Sequence, residues 1–156
     1  MPDLRVGRRT IEVTRPDKVL FGDDGLTKRD LIDYYARIAE TMLPHVRGRV
    51  ISMHRYPDGL DGQGFYEKKL PDHFPDWIAS ATVKLEDGST QRQVVIDSPA
   101  TLAYLAQQAC ITPHVWLCRR NDLAHPDRMV FDLDPAGGFD DVQWVARRMR
   151  DLLCDE

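Results

Sequence analysis

The chain has 156 residues, a formal net charge of −4 and 29% charged residues, a composition typical of one ordinary globular domain. Its three cysteines lack paired spacing, which argues against a disulfide framework and against a C-x-x-C zinc site. No apolar stretch reaches the roughly 18 residues of a membrane helix. We therefore expect a single domain over residues 1–156, no membrane association and a reducing, cytoplasmic setting.

The first part of the chain predicts a strand followed by a long helix. Residues 8–14 alternate and are rich in β-branched side chains, as strands are. Thr27, with Asp30 three residues later, has the spacing of a helix N-cap. Apolar residues then recur at helical spacing as far as Pro44, which should end or bend the helix.

The middle of the chain predicts a second strand and a long loop. Residues 50–56 alternate, so that Ser52, His54 and Tyr56 should share one face of this strand. Residues 60–77 are rich in glycine, proline and aromatic side chains, which indicates a loop. Because loops of this length inside compact domains are usually functional, the segment is a candidate binding region.

The second half continues the alternation of strands and helices. It predicts, in order, a hairpin of residues 81–85 and 93–96, a helix over 99–110, a strand at 115–117, an acidic strand at 130–134 and an amphipathic helix over about 140–153. This order predicts the α+β class, with a mixed sheet flanked by helices.

Two acids stand one residue apart in the acidic strand. Side chains alternate between the faces of a strand, so Asp132 and Asp134 should point the same way while Phe131 and Leu133 face the opposite layer. Such carboxylates are costly on an apolar strand unless a cation lies between them, and oxygen ligands suit Mg²⁺ or Mn²⁺. The alternative interpretation is a strand end whose acids are solvated or cap the next helix.

A group of basic residues flanks the start of the first long helix. Arg15 and Lys18 lie in the turn before it, and Lys28 lies in its first turn. Because backbone N–H groups at a helix N-terminus also attract anions, the three side chains could hold a terminal phosphate. A solvated basic edge is the alternative.

The loop over 60–77 contains two adjacent aromatic residues followed by lysines. Phe65 and Tyr66, with Lys68 close behind, fit a surface on which a nucleobase stacks while a lysine meets a phosphate. Arg55, at the end of its strand, could face the same groove. In the alternative interpretation Phe65 belongs to the core and Tyr66 is half-exposed.

His114 precedes the strand predicted at 115–117. A lone histidine near a strand is usually structural, although it could also hydrogen-bond a triphosphate or orient an acid. The sequence shows no H-x-x-x-H zinc pattern and no phosphate-binding glycine loop.

Taken together, five segments resemble the polymerase domain of bacterial DNA ligase D, a member of the archaeo-eukaryotic primase superfamily. They are DKVLFGDDGLTKRDLIDYY (17–35), HRYPDG (54–59), GFYEKK (64–69), AYLAQQACITPHVW (103–116) and HPDRMVFDLDP (125–135). The resemblance covers almost the whole chain and keeps the order of the family's segments. It implies the N-terminal half of a primase-polymerase fold, a modified RRM-like architecture.

The resemblance also implies roles for individual residues. Asp132 and Asp134 match the catalytic, metal-binding acids, and His114 matches a histidine near the incoming nucleotide. The residues that match a DNA-binding surface are Lys18 and Lys28 for a 5′-phosphate, and Phe65 and Tyr66 for stacking on the template. Arg15 stands where the family often has asparagine, so that its contact is altered in kind.

The resemblance implies template-dependent transfer of a nucleoside monophosphate from an NTP to a 3′-hydroxyl in non-homologous end joining, with two Mg²⁺ or Mn²⁺ ions. It implies DNA ends or gaps with a 5′-phosphate, NTPs, and ligase and Ku-type proteins as partners. The family's third aspartate and its triphosphate-binding segment have no match here, so we expect the chain alone to be a poor polymerase. The alternative is a non-catalytic module that binds 5′-phosphorylated DNA ends.

Overall fold

A computed structural model of the protein describes residues 3–154 and confirms the α+β class. Its elements, in chain order, are β1 (Leu4–Val6), β2 (Arg9–Ile11), β3 (Val19–Phe21), β4 (Leu26–Thr27), α1 (Lys28–Val46), β5 (Arg49–Arg55), β6 (Phe65–Glu67), β7 (Ser80–Lys84), β8 (Thr90–Ile96), α2 (Pro99–Gln107), β9 (Cys110–Arg119) and α3 (Phe139–Cys154). Strands β1 and β2 form one small hairpin, and β3 and β4 form another. Among the described residues, no helix is both long and apolar enough to cross a membrane.

Strand β5 is the central strand of the five-stranded sheet. It pairs with β9 on one side, and on the other side with β8 near its start and with β6 near its end. Strand β7 completes the sheet by pairing with β8, as the predicted hairpin requires. All of these pairings are antiparallel.

The alternation of side chains along β5 gives the sheet two different faces. Ile51 and Met53 point into the main core, which also contains the apolar sides of α1 and α2. Val50 points the other way and packs with Val83 and Val95 in a small second cluster. Among the described residues, no helix covers the rest of this second side, which we call the open face. It carries Ser52, His54, Tyr66, Lys68, Gln93, His114 and Trp116.

The predicted N-cap of the first long helix is confirmed. Thr27 accepts a hydrogen bond from the backbone N–H of Asp30, and the Asp30 carboxylate accepts one from the backbone N–H of Thr27. The helix continues past Pro44 to Val46. Pro44 has no N–H to donate to the carbonyl four residues earlier, and the helix ends two residues after it.

The prediction of a loop over residues 60–77 was wrong for residues 65–67, which contain two of the predicted site residues. Phe65 and Tyr66 do not lie in the loop, because residues 65–67 form β6 and pair with the end of β5. The glycines and prolines of the segment flank this strand. The short edge strand was hidden by them, since three residues are too few to show an alternating pattern.

The predicted acidic strand was also wrong. Residues 130–134 lie in no strand, and Val130 and Phe131 are exposed instead of packed in an inner layer. A strand forms by hydrogen bonding to a neighbour, and within residues 3–154 no strand lies beside this segment. Helix α3 forms as predicted but has no buried residue, so its apolar side packs against little of the described structure.

A buried ion pair fixes the point at which this segment leaves the sheet. The Arg49 side chain is only 2% exposed, and its Nη1 lies 2.6 Å from one carboxylate oxygen of Asp127. The other oxygen of Asp127 lies 2.6 Å from Nε of Arg119. These two guanidinium groups hold the pKa of Asp127 at about 2, well below its usual value, chiefly through their hydrogen bonds. The loop before Met129 is therefore held against the start of β5 and the end of β9.

We predict that Asp127→Asn lowers the thermal denaturation midpoint at pH 7, because it leaves the buried charge of Arg49 without a counter-ion. A carboxylate whose pKa is depressed on folding stabilises the folded state above its unfolded pKa and loses this effect as the pH falls through its folded pKa. The difference between the wild type and the variant should therefore shrink between pH 4 and pH 2 (~2 units). Thermal denaturation followed by circular dichroism measures it, and a difference that stays constant with pH would contradict the assignment.

Candidate functional site

The three basic residues predicted to hold a phosphate converge at the start of α1. The backbone N–H of Lys28, the first residue of the helix, donates to the carbonyl of Lys18 at 2.8 Å. The N–H of Lys18 donates in turn to the carbonyl of Arg15 at 3.1 Å. Arg15 has a φ of 47°, an uncommon left-handed conformation for a non-glycine residue that closes this turn tightly. We call Arg15, Lys18 and Lys28 the cationic pocket.

Lys28 is the buried member of the cationic pocket. Its side chain is 4% exposed, and its Nζ donates to the carbonyl oxygen of Thr14 at 2.7 Å. Thr14 is itself held by the side chain of Gln107, which donates to the threonine hydroxyl at 2.7 Å. Helix α2 therefore fixes the position of the Lys28 ammonium group through Thr14.

The electrostatics of the cationic pocket favour an anion. The pKa of Lys28 is lowered to about 8, first by burial and then by the positive charges of Arg15, Lys18 and Arg55. Lys18 has one carboxylate neighbour, Asp58, whose Oδ1 lies 2.7 Å from its Nζ. A bound anion would relieve the repulsion among Arg15, Lys18 and Lys28, in addition to the contact that Asp58 makes with Lys18.

Phe65 and Tyr66 point to opposite faces of the sheet because they are neighbours in β6. The Phe65 ring lies on the helix side, with the guanidinium carbon of Arg55 5.6 Å from its centroid. Tyr66 lies on the open face and stacks on His54, with ring centroids 4.1 Å apart and planes within 15°. Both rings are largely exposed, at 43% for Phe65 and 59% for Tyr66. The pair predicted as one stacking surface is therefore divided between two sides of the molecule.

Arg55 was predicted to contact DNA, and each of its three guanidinium nitrogens makes one contact within the protein. Its Nη1 is paired with the Glu67 carboxylate, and its Nε and Nη2 donate to the main chain and side chain of Gln108 at 2.9 and 3.1 Å. The Arg55 side chain is 14% exposed. This geometry supports a role in holding Phe65 and in strengthening the positive potential of the cationic pocket.

His114 lies on the open face, near Tyr66. It is exposed, stands opposite Ser52 in the pairing of β5 with β9, and its ring centroid is 5.2 Å from that of Tyr66. His54 completes the cluster at 5.9 Å from His114. The sequence placed Ser52, His54 and Tyr56 on one face, but it gave no sign that His54 would lie beneath Tyr66.

Asp132 and Asp134 do not join these residues. They line a cavity of about 300 Å³ against the first turns of α3, together with Asp141, Val142 and Val145. Within residues 3–154, no three histidine, cysteine or acidic residues are grouped so that they could hold a metal ion. Asp141 is a third acid at this cavity, yet the three carboxylates are not grouped as metal ligands, so the described residues do not fit the expected pair of Mg²⁺ or Mn²⁺ ions.

Comparison with protein families and curated proteins shows which proteins this chain resembles. A family model described as the LigD primase-polymerase domain matches residues 27–156. The chain is 42% identical over 157 aligned residues to the multifunctional non-homologous end joining DNA repair protein LigD of Mycobacterium tuberculosis, covering 93% of this chain and 20% of that protein. It is 31% identical to the bifunctional LigD of Bacillus subtilis, covering 92% of this chain and 23% of that protein.

A solved structure gives the corresponding likeness in three dimensions. The polymerase domain from Mycobacterium tuberculosis Ligase D in complex with DNA matches with a TM-score of 0.79 and 36% sequence identity. The match covers 93% of this chain and 54% of that one. The chain thus spans about a fifth of the length of the curated relatives and about half of the solved domain. The resemblance stated from the sequence is confirmed.

We predict that Glu67→Ala lowers the free energy of unfolding by about 1.5–3 kcal/mol, the usual cost of losing a hydrogen bond to a charged group. The physical reason is that Arg55, which is largely buried, loses its carboxylate partner. Urea denaturation measures the change. Glu40→Ala, on the exposed side of α1, is the matched control and should stay within about 0.5 kcal/mol of the wild type. Equal stability of Glu67→Ala and Glu40→Ala would refute the assignment.

Proposed function

Because the chain belongs to the LigD primase-polymerase family, we propose that it binds DNA ends or gaps that carry a 5′-phosphate in non-homologous end joining. The observation that carries this proposal is the convergence of Arg15, Lys18 and Lys28 at the N-terminus of α1. The solved relative was obtained in complex with DNA, which supports DNA as the ligand class.

The pocket has the chemistry that a terminal phosphate needs. A terminal phosphate monoester carries about −1.5 to −2 charges at pH 7, more than an internal phosphodiester. The buried ammonium of Lys28 supplies one positive charge at a fixed point. Lys18 supplies a second charge when it exchanges its contact with the exposed carboxylate of Asp58 for the phosphate. The pocket thus favours a chain end over the middle of a strand.

Phe65 supplies the second part of the proposed DNA site. Its exposed ring lies on the same side of the sheet as Arg55, whose charge contributes to the field at Lys28. A base stacked on Phe65 would therefore lie beside the 5′-phosphate, and such stacking contributes about 1–3 kcal/mol per base. Tyr66 stacks on His54, so it offers only its other ring face to a second base on the open face.

Nucleotidyl transfer is the further activity that the resemblance implies, with NTPs as substrates and Mg²⁺ or Mn²⁺ as cofactor. We assign no step of that reaction to the described residues, because Asp132, Asp134 and His114 are not brought into one site. Asp132 and Asp134 remain the residues that we propose as metal ligands, on the resemblance alone. Ligase and Ku-type end-joining proteins are proposed as partners on the resemblance alone.

We predict that the protein prefers a recessed duplex with a 5′-phosphate over the same duplex with a 5′-hydroxyl by about tenfold or more, because of the charge-assisted contacts in the cationic pocket. Fluorescence anisotropy with labelled duplexes measures the ratio. Lys18→Ala should abolish the preference, whereas Arg150→Ala, which removes one exposed positive charge from α3, should keep it. Equal binding of the two duplexes by the wild type would rule out the pocket.

The preference for the phosphate should also depend on pH. Since the pKa of Lys28 is about 8, its amine loses its positive charge as the pH rises above that value, and the contact with the phosphate weakens. We predict a preference that falls between pH 7 and pH 9, roughly one unit on either side of this pKa. Lys28→Arg, which stays charged, should show a flat profile. The 5′-hydroxyl duplex corrects for general effects of pH, and a flat wild-type profile would contradict the role of Lys28.

A further inference from the structure

Gln107, the last residue of α2, is a buried polar residue whose contacts lead to the cationic pocket. Its side-chain amide meets Thr14 twice. The Nε2 donates to the threonine hydroxyl at 2.7 Å, and the Oε1 accepts a hydrogen bond from the backbone N–H of Thr14 at 3.3 Å. A backbone N–H can only donate, so this second contact fixes which way the amide faces. Both ends of the amide are therefore used to hold one residue.

Thr14 connects this double contact to the buried lysine of the pocket. The carbonyl oxygen of Thr14 accepts a hydrogen bond from Nζ of Lys28 at 2.7 Å. The hydroxyl and the N–H that Gln107 holds belong to the same residue as this carbonyl, so Gln107 restricts where the carbonyl points. An ammonium group has three N–H donors, and one contact with Thr14 leaves two for a ligand. Gln107 thus influences the direction of the donors that a phosphate would meet.

Thr14 also stands at the start of the turn that carries the other two cations. Arg15 follows it directly with a φ of 47°, and the N–H of Lys18 donates to the carbonyl of Arg15 at 3.1 Å. This left-handed conformation is uncommon for a residue with a side chain, so the surrounding contacts must maintain it. The contacts of Gln107 with Thr14 act immediately before the strained residue. They therefore support all three members of the cationic pocket.

The end of α2 that carries Gln107 is fixed to the sheet. The Nε of Arg55 donates to the carbonyl of Gln108 at 2.9 Å, and the backbone N–H of Tyr56 donates to the carbonyl of Ala109 at 2.9 Å. Both donors lie at the end of β5 or just after it. Gln107 therefore holds Thr14 from a support that is anchored to the central strand.

We propose that Gln107 is a positioning residue for recognition of the terminal phosphate, acting through Thr14 on Lys28 without touching the ligand. The proposal rests on the proposed binding of 5′-phosphorylated DNA ends, and it names a residue outside the cationic pocket that sets the selectivity of the pocket. The three cations lie between positions 15 and 28 of the chain, whereas this support comes from α2.

Gln107→Met tests the proposal, because methionine keeps the length of the side chain and removes both hydrogen bonds. Fluorescence anisotropy compares a recessed duplex with a 5′-phosphate and the same duplex with a 5′-hydroxyl. The variant should reduce the preference for the phosphate about fivefold, the loss typical of one neutral hydrogen bond, and leave binding of the 5′-hydroxyl duplex unchanged. Gln93→Met makes the same change at another buried glutamine, on the open face, and should keep the full preference. Thermal denaturation verifies that both variants are folded.

The pH dependence of the preference separates positioning from a purely structural role. The charged groups that face Lys28 are Arg15, Lys18 and Arg55, and Asp58 pairs with Lys18. Burial is the first cause that lowers the pKa of Lys28, to about 8. In Gln107→Met the ammonium is less firmly held and more exposed, and reduced burial raises the pKa of a lysine. The preference that remains should therefore persist to higher pH than in the wild type, whereas Gln93→Met should show the wild-type profile.

A double-mutant cycle tests whether the effect passes through Thr14. Thr14→Val removes the hydroxyl that accepts from Gln107 and should reduce the preference, whereas Thr14→Ser keeps the hydroxyl and should retain it. In the Gln107→Met background, Thr14→Val should have no further effect, because the contact is already absent. Losses that simply add in the double variant would overturn the proposal.

The outcomes distinguish this proposal from the phosphate-binding function on which it rests. A wild type without any preference for the 5′-phosphate overturns both. A wild-type preference that persists in full in Gln107→Met, with an unshifted pH profile, overturns the positioning role and leaves the cationic pocket intact. Equal loss of the preference in Gln107→Met and Gln93→Met would reflect a general loss of structure, and it would also overturn the positioning role.

Discussion

The antiparallel pairing of β5 with three other strands is the constraint on which the arrangement of the candidate site residues depends. Because successive side chains alternate along these strands, each residue is assigned either to the helix side or to the open face. Met53 and Arg55 are thereby directed towards α1 and α2, and Ser52 and His54 away from them. The cationic pocket, Phe65 and Arg55 form one group, whereas Tyr66, His54 and His114 form another.

Much of this arrangement could be predicted from local sequence signals. The Thr27 cap, the helical spacing after it and the alternation over 50–56 each follow from neighbours in the chain, and all are confirmed. The convergence of Arg15, Lys18 and Lys28 could be anticipated because a single turn and a helix start join them. The burial of Lys28 could not, since it depends on Thr14 and Gln107, which lie 93 residues apart in the chain.

The features that the sequence could not predict depend on partners distant in the chain. Residues 130–134 have the composition of a strand, but a strand also needs a hydrogen-bonded neighbour, and the described residues offer none. Arg55 has the side chain of a DNA contact, yet Glu67 and Gln108 engage it. The burial of Gln93 was not predicted, because a glutamine in an alternating strand normally faces solvent. In the structure it is 1% exposed and makes a bridge with Lys69, just after β6.

The division of Phe65 and Tyr66 between two faces limits how this region can change during evolution. A strand repeats every two residues, so the insertion or deletion of one residue that shifted β6 along β5 would exchange the two rings. The ring beside the cationic pocket would then lie over His54, and the other would meet Arg55. Such a change would alter both groups of residues at once, whereas a change by two residues would preserve the side of each ring. Length variation in β6 should therefore be tolerated only in even steps.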